Sequence, residues 1–187
     1  MAISGSQLRR GKAIIHNGEL HRVVTAQHVK PGKGPAYMQT KLRNLKTGSI
    51  FEERFRAADT VEEASMETHD LQFLYSDATH YHFMNTNTYE QVMMDDESLG
   101  DAAQWMTPEL IVQVEFHEGS PVGVQLPKTL ELRVEQTDPG ARGDTKTSVT
   151  KPAKLENGVT VQVPAFINQG DVVRVDPEEG AYLERVR

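Results

Sequence analysis

Short runs of alternating apolar and polar residues, broken by turn residues, fill the chain. Lys12-Ala13-Ile14-Ile15-His16 meets Asn17-Gly18, a two-residue hairpin signal, and Glu19 to His28 follows. A Pro/Gly stretch separates that run from Ala36 to Leu45, and Lys46-Thr47-Gly48 turns into Ser49 to Arg56. Strand parity puts Tyr37, Gln39, Lys41 and Arg43 on one face and Met38, Thr40 and Leu42 on the other. Further strands are expected at Leu71–Tyr75, His80–Met84, Tyr89–Met94, Ile111–Phe116, Val122–Leu126, Leu130–Val134, Val159–Val163, Asp171–Val175 and Ala181–Val186. Asp95 to Met106 reads as a short helix or a long loop, and Thr137 to Ser148 as a long mobile loop. Ala57 to Ala64 is polar and lacks a strand pattern, which marks one boundary; Pro127 marks another. The chain is therefore all-β. Segments 1–63, 64–127 and 128–187 each hold four or five short strands and suggest three small β-barrels, with OB-type barrels fitting the last two.

Composition narrows the classes. An apolar fraction of 37% suffices for packed cores. The absence of cysteine excludes a disulfide framework, a thiolate zinc site and cysteine nucleophiles, and fits a reducing compartment. Met1 to Ser6 lacks the apolar core of a signal peptide, and no apolar run reaches spanning length, so a soluble cytoplasmic protein with no membrane partner is expected.

The net charge of −7 hides a strong asymmetry. Residues 1–63 hold 11 Lys and Arg against 6 acids, a balance of +5. Residues 64–127 hold 11 acids and no Lys or Arg, and residues 128–187 hold 9 bases against 10 acids. A basic first third points to a polyanion. The acidic middle either faces away from nucleic acid, meets a basic protein, or is simply a solvated face.

The candidate chemistry centres on Val29-Lys30-Pro31-Gly32-Lys33-Gly34-Pro35-Ala36, in which Lys33 is flanked by glycine and then proline on each side. Glycine opens backbone angles closed to other residues, and proline fixes φ and removes a donor. The segment reads as a hairpin loop that holds one cation away from the body; a plain turn with a solvated lysine has the same residues. No enzyme site stands beside it. Gly32-Lys33 lacks Walker spacing, His117-Glu118 lacks the second histidine of a zincin, and Asp95-Asp96-Glu97 lacks calcium-loop spacing. His80 and His82 share a strand face but lack further nameable ligands, so neither a metal nor a cofactor is expected. A Schiff base at Lys33 would need a desolvated amine, which a Pro/Gly loop does not provide.

The order of several motifs resembles the bacterial elongation factor P family from end to end. They begin with Val29 to Gly34, Lys41-Leu42-Arg43-Asn44-Leu45 and Thr47-Gly48, and continue with Leu74-Tyr75, Phe83-Met84 and Tyr89-Glu90-Gln91. Thr137-Asp138-Pro139-Gly140, Arg142-Gly143-Asp144-Thr145, Lys151-Pro152-Ala153, Val163-Pro164-Ala165-Phe166 and Tyr182 to Arg185 follow. The resemblance implies a KOW/SH3-like first barrel, two OB barrels and an extended, tRNA-like arrangement. It also implies a non-enzymatic, monomeric factor that binds the ribosome between the peptidyl-tRNA and exit sites and assists bond formation between consecutive prolines. Ribosomal RNA and peptidyl-tRNA are its implied partners. Lys33 falls at the tip position, where many members carry a modified lysine, so a lysine-modifying enzyme is a further implied partner. Lys30, Pro31, Gly32, Gly34 and Pro35 complete the loop. Lys41, Arg43, Tyr182 and Arg185 become RNA-contact candidates, and Gly143, Asp144 and Thr145 codon-contact candidates. Pro35 departs from many lysine-type members and is expected to stiffen the loop.

Overall fold

The computed structural model describes residues 1–139 and 149–187. The codon-contact candidates Gly143, Asp144 and Thr145 lie outside the described residues, as does most of the expected loop from Thr137 to Ser148. The chain divides into two compact units, Met1–His69 with Val114–Val124, and Asp70–Gln113 with Gln125–Arg187.

The first sheet has six strands: β1 (Ala2–Ser4), β2 (Ala13–His16), β3 (Glu19–Val29), β4 (Tyr37–Asn44), β5 (Ile50–Arg56) and β6 (Thr60–Glu63), in the order β1-β6-β2-β3-β4-β5. Asn17 (φ +52°) and Gly18 (φ +78°) make the left-handed turn between β2 and β3 that the Asn-Gly pair predicts. Ile14, Val23, Leu42 and the segment residue Leu8 are fully buried and form the core with Ile3, Phe55 and Val61. Strand β6 corrects the reading of Ala57 to Ala64 as strandless. It pairs with both β1 and β2 and buries Val61, but only one of its four residues is apolar.

The second sheet contains β7 (Glu67–Ser76), β8 (His80–Asn85), β9 (Gln91–Asp95), β10 (Ile111–His117) and β11 (Ser120–Gln125), in the order β11-β10-β7-β8-β9. Between β9 and β10, a one-turn helix α1 (Asp96–Leu99) continues into a 3₁₀ turn, Gly100–Trp105. Asp95 caps α1 by accepting a hydrogen bond from the Ser98 amide at 2.8 Å, and its hydrogen bonding to Ser98 holds its carboxyl below the usual range.

The third sheet holds β12 (Leu130–Thr137), β13 (Thr150–Leu155), β14 (Thr160–Pro164), β15 (Val172–Asp176) and β16 (Ala181–Arg185), in the order β14-β13-β12-β15-β16. Its two outer strands approach each other, curling the sheet toward closure. Leu132, Val134, Leu155, Val163, Val173 and Val175 fill the interior. Trp105 is buried in this same cluster, with Leu110 and Leu126 against it. The helical segment thus plugs the barrel that follows it in sequence, through a side chain placed well before β12.

Strand β13 contains Pro152, which explains why no strand was expected there. The β12 ladder pairs Thr137 with Ala153 and stops before Pro152. Proline, which lacks an amide donor, therefore sits where β13 is no longer flanked on that side. Its carbonyl accepts the Thr137 hydroxyl at 2.9 Å.

Candidate nucleic-acid interface

The 30–36 loop grows from the longest hairpin of the first sheet. Val29 pairs with Tyr37 at its base. Within it, Gly34 has φ +105°, a conformation other residues rarely adopt, whereas Gly32 does not use this freedom. The γ-carbon of Pro31 lies 3.9 Å from where a Cβ on Gly34 would sit, so the two halves of the loop fold over each other. Lys30 and Lys33 are exposed, and neither has a carboxylate within ion-pair distance among the described residues. The structure therefore places the lysine where turn chemistry predicts, at the tip.

Below the loop, strand register builds a cationic face. β4 lies between β3 and β5, so cross-strand partners share a side. Val29, Tyr37 and Arg56 form one row; Gln27, Gln39 and Arg54 the next; Thr25, Lys41 and Glu52 a third; Arg22, Arg43 and Ile50 a fourth. The expected pair Lys41 and Arg43 is brought together on this exposed face. The register adds Arg54 and Arg56, which the sequence reading missed. The alternation Arg54-Phe55-Arg56, with Phe55 buried between two arginines that point the other way, is the signal that would have found them. The Arg54 guanidinium lies over the Tyr37 ring, 4.3 Å from its centroid, which restricts it at the foot of the loop.

Two interactions limit the charge on offer. Lys41 has Glu52 at 3.9 Å, a solvent-exposed pair of small net effect. Arg22 is engaged by the Glu115 carboxylate and the Gly11 carbonyl, so it braces the first unit rather than joining the open face. The opposite side of the sheet is packed. Thr40 is buried and its hydroxyl donates to the Glu53 carbonyl at 2.8 Å. Buried Asn44 closes the β4–β5 turn: its Oδ1 accepts the Lys46 and Thr47 amides, and its Nδ2 donates to Glu19. A rigid inner face thus fixes where the outer cations stand.

Tyr182 and Arg185 both lie on β16. Tyr182 is half-buried against the third core, and that burial raises its phenol above the usual range. Arg185 lies over the ring of Phe166, 5.5 Å from its centroid, with the Asp171 carboxylate at 3.9 Å. Phe166, more than half exposed, is a third residue missed in sequence. These side chains line an open cavity of about 800 Å³ with Arg174, which pairs with Glu131 and Glu184.

His80 and His82 do not converge on a metal-binding cluster, and none is found among the described residues. His82 instead meets the Asp77 carboxylate at 2.7 Å and stacks on Tyr75. That hydrogen bond, with the Thr79 and His80 amides, holds Asp77 well below the usual carboxylate range. A depressed folded-state pKa stabilises the turn above the ordinary aspartate value near 4 and is lost as pH falls below it. Asp77→Asn is expected to speed amide exchange at Thr79 and His80 near neutral pH and to remove the acid-dependent loosening that wild type shows below about pH 4. Equal exchange in both proteins at neutral pH would show that the carboxylate does not hold the turn.

Small β-barrels following one another along the chain, KOW-like first and OB-type after, with a cationic hairpin loop above a basic sheet face, define a class of multi-barrel β-proteins. The Elongation factor P (EF-P) KOW-like domain matches residues 4–61, the Elongation factor P (EF-P) OB domain residues 66–124, and the Elongation factor P, C-terminal family residues 130–185. Elongation factor P of Gemmatimonas aurantiaca is 51% identical over 187 residues, covering 100% of both chains. That of Acidobacterium capsulatum is 49% identical over 185 residues, covering 99% of this chain and 100% of its own. The solved structure of eukaryotic translation initiation factor 5A from Methanococcus jannaschii shares the fold, with a TM-score of 0.53 at 18% identity over 67% of this chain and 94% of that one. The chain belongs to the elongation factor P family, and is a translation elongation factor.

Proposed function

We propose that this factor binds the ribosome between the peptidyl-tRNA and exit sites and promotes peptide-bond formation at consecutive prolines by positioning peptidyl-tRNA. The observation that carries the reading is the exposed Lys33 on a glycine-proline loop, raised from a sheet face bearing Lys41, Arg43, Arg54 and Arg56. Proline is a sterically restricted nucleophile, and a proline-rich nascent chain misplaces the peptidyl end. Holding that end in place lowers the entropic part of the barrier without acid, base or covalent chemistry from the protein. Orientation supplies about 7–11 kcal/mol in the best-aligned small-molecule systems, so a fraction of it is enough. Lys33 contributes charge and hydrogen bonds to the RNA backbone, which position without reading sequence. Tyr182 and Arg185, with Phe166, are proposed as a second RNA contact. Gly143, Asp144 and Thr145 are proposed as codon-contacting on their family resemblance alone. Footprinting on ribosomes carrying peptidyl-tRNA is expected to show protection at both ends of the tRNA; protection confined to one end contradicts this reading.

The basic face makes a quantitative prediction. Every phosphate that the protein no longer neutralises lowers the salt-dependence slope of binding by about 0.7–0.9. Arg54→Gln combined with Arg56→Gln is therefore expected to lower the magnitude of that slope by about 1.4–1.8 in ribosome co-sedimentation. An unchanged slope would take both arginines off the RNA.

Pro35 is proposed to let an unmodified lysine work. A loop already confined by two prolines loses less freedom on docking, an effect of about 0.4–1 kcal/mol per compatible proline. With Lys33 bare by intact mass, Pro35→Ala is expected to lower Pro-Pro synthesis. Full activity of that variant would remove loop stiffness from the explanation.

A further inference from the structure

A cavity of about 420 Å³ opens near the loop end of the long hairpin, lined by Ser6, Arg9, Ala26, His28 and Met38. Small-ligand pockets run from about 300 to 1,000 Å³, so the space suits one compact ligand. Met38, 2% exposed, and half-buried Ala26 provide an apolar floor. His28 is the cross-strand neighbour of Met38 and stands at the rim, close to where the loop begins.

Arg9 supplies the charge. One guanidinium nitrogen, Nη1, donates to the Ser6 carbonyl at 2.8 Å and to the Leu8 carbonyl at 2.7 Å. Arg9 is exposed, and these two hydrogen bonds to the backbone beside buried Leu8 fix where its guanidinium stands. No carboxylate lies within ion-pair distance of Arg9 among the described residues. The cation is thus held in place without being neutralised, and its remaining donors suit a phosphate, which a planar fork binds well. The exposed His28 imidazole beside an apolar floor suits the flat face of a base.

We propose that this cavity is a nucleotide-binding site, in which Arg9 takes the phosphate and His28 stacks on the base over the apolar floor. The ligand is a phosphate-bearing nucleotide, supplied either as a free mononucleotide or as an unstacked unit of an RNA strand; the second source rests on the ribosome-binding reading above.

The test is an NMR titration of the isotope-labelled full chain with cytidine 5′-monophosphate, inorganic phosphate and a single-stranded RNA tetranucleotide. The mononucleotide is expected to shift amides of Ser6, Arg9, Ala26, His28 and Met38, with inorganic phosphate at least tenfold weaker. A tetranucleotide that binds tighter than the mononucleotide identifies an RNA strand as the source; equal affinity identifies the free nucleotide. Arg9→Gln is expected to weaken binding tenfold or more, and His28→Ala, at an exposed position that leaves the fold intact, about fivefold or more. The proposal is overturned by equal binding of phosphate and mononucleotide, by shifts centred on residues 30–36 instead, or by unchanged affinity in His28→Ala. Ribosome co-sedimentation of the same variants separates the two readings. Wild-type ribosome binding without nucleotide binding removes this site alone; nucleotide binding without ribosome binding leaves the site and removes the ribosomal reading.

Discussion

Lys33→Ala is expected to leave the fold intact and to reduce stimulation of Pro-Pro synthesis about tenfold or more, equivalent to about 1.4 kcal/mol of barrier. The lysine is exposed at a loop tip and has no hydrogen-bond or ion-pair partner among the described residues, so its removal costs the barrel nothing identifiable. Ribosome affinity should fall much less, because Lys41, Arg43, Arg54 and Arg56 remain on the sheet face. The expected signature is a lower rate at matched occupancy. Equal peptide yields for variant and wild type would take Lys33 out of the mechanism. A deficit explained wholly by lower occupancy would make it one phosphate ligand among several.

The largest stability effect is expected at Gly5→Ala. A Cβ on Gly5 would lie 2.1 Å from the Arg56 carbonyl oxygen and 3.3 Å from the Phe55 Cβ. Neither neighbour can yield cheaply. The Arg56 carbonyl already accepts the Asp59 amide at 3.0 Å, and Gly5 itself donates to the Asp59 carbonyl at 2.8 Å. Phe55 is buried in the first core. Making room breaks the turn that joins β5 to β6, at roughly 3 kcal/mol, the upper end of ordinary overpacking. Native-state hydrogen exchange at Ile14, Val23 and Leu42 reports this core directly. Unchanged protection there would show that β5 shifts without cost.

Local chemistry carried much of the fold into the sequence. Asn17-Gly18 fixed one turn through its left-handed preference, and the parity of residues 37–43 separated the outer face from the packed one. What escaped depended on partners distant in the chain. Strands β1 and β6 are three and four residues long, too short to show alternation, and exist because they pair across nearly the whole first segment, Ala2 with Glu62. Strand β13 was hidden by Pro152, whose tolerance depends on where the neighbouring ladder ends. Trp105 carries no sequence mark that it fills the core of the next barrel. The loop lysine was legible because glycine and proline act locally. Arg54, Arg56 and Phe166 were not, because only register or tertiary packing reveals which side chains stand beside them.

The central claim is that this protein speeds peptide-bond formation between prolines by positioning, without chemistry of its own. Its most direct test is purified translation of two templates, one encoding consecutive prolines and one without them, each with and without the full chain. The account predicts a marked gain in yield and rate on the proline template and none on the other. Equal yields on the proline template with and without the protein, at demonstrated ribosome occupancy, would contradict it.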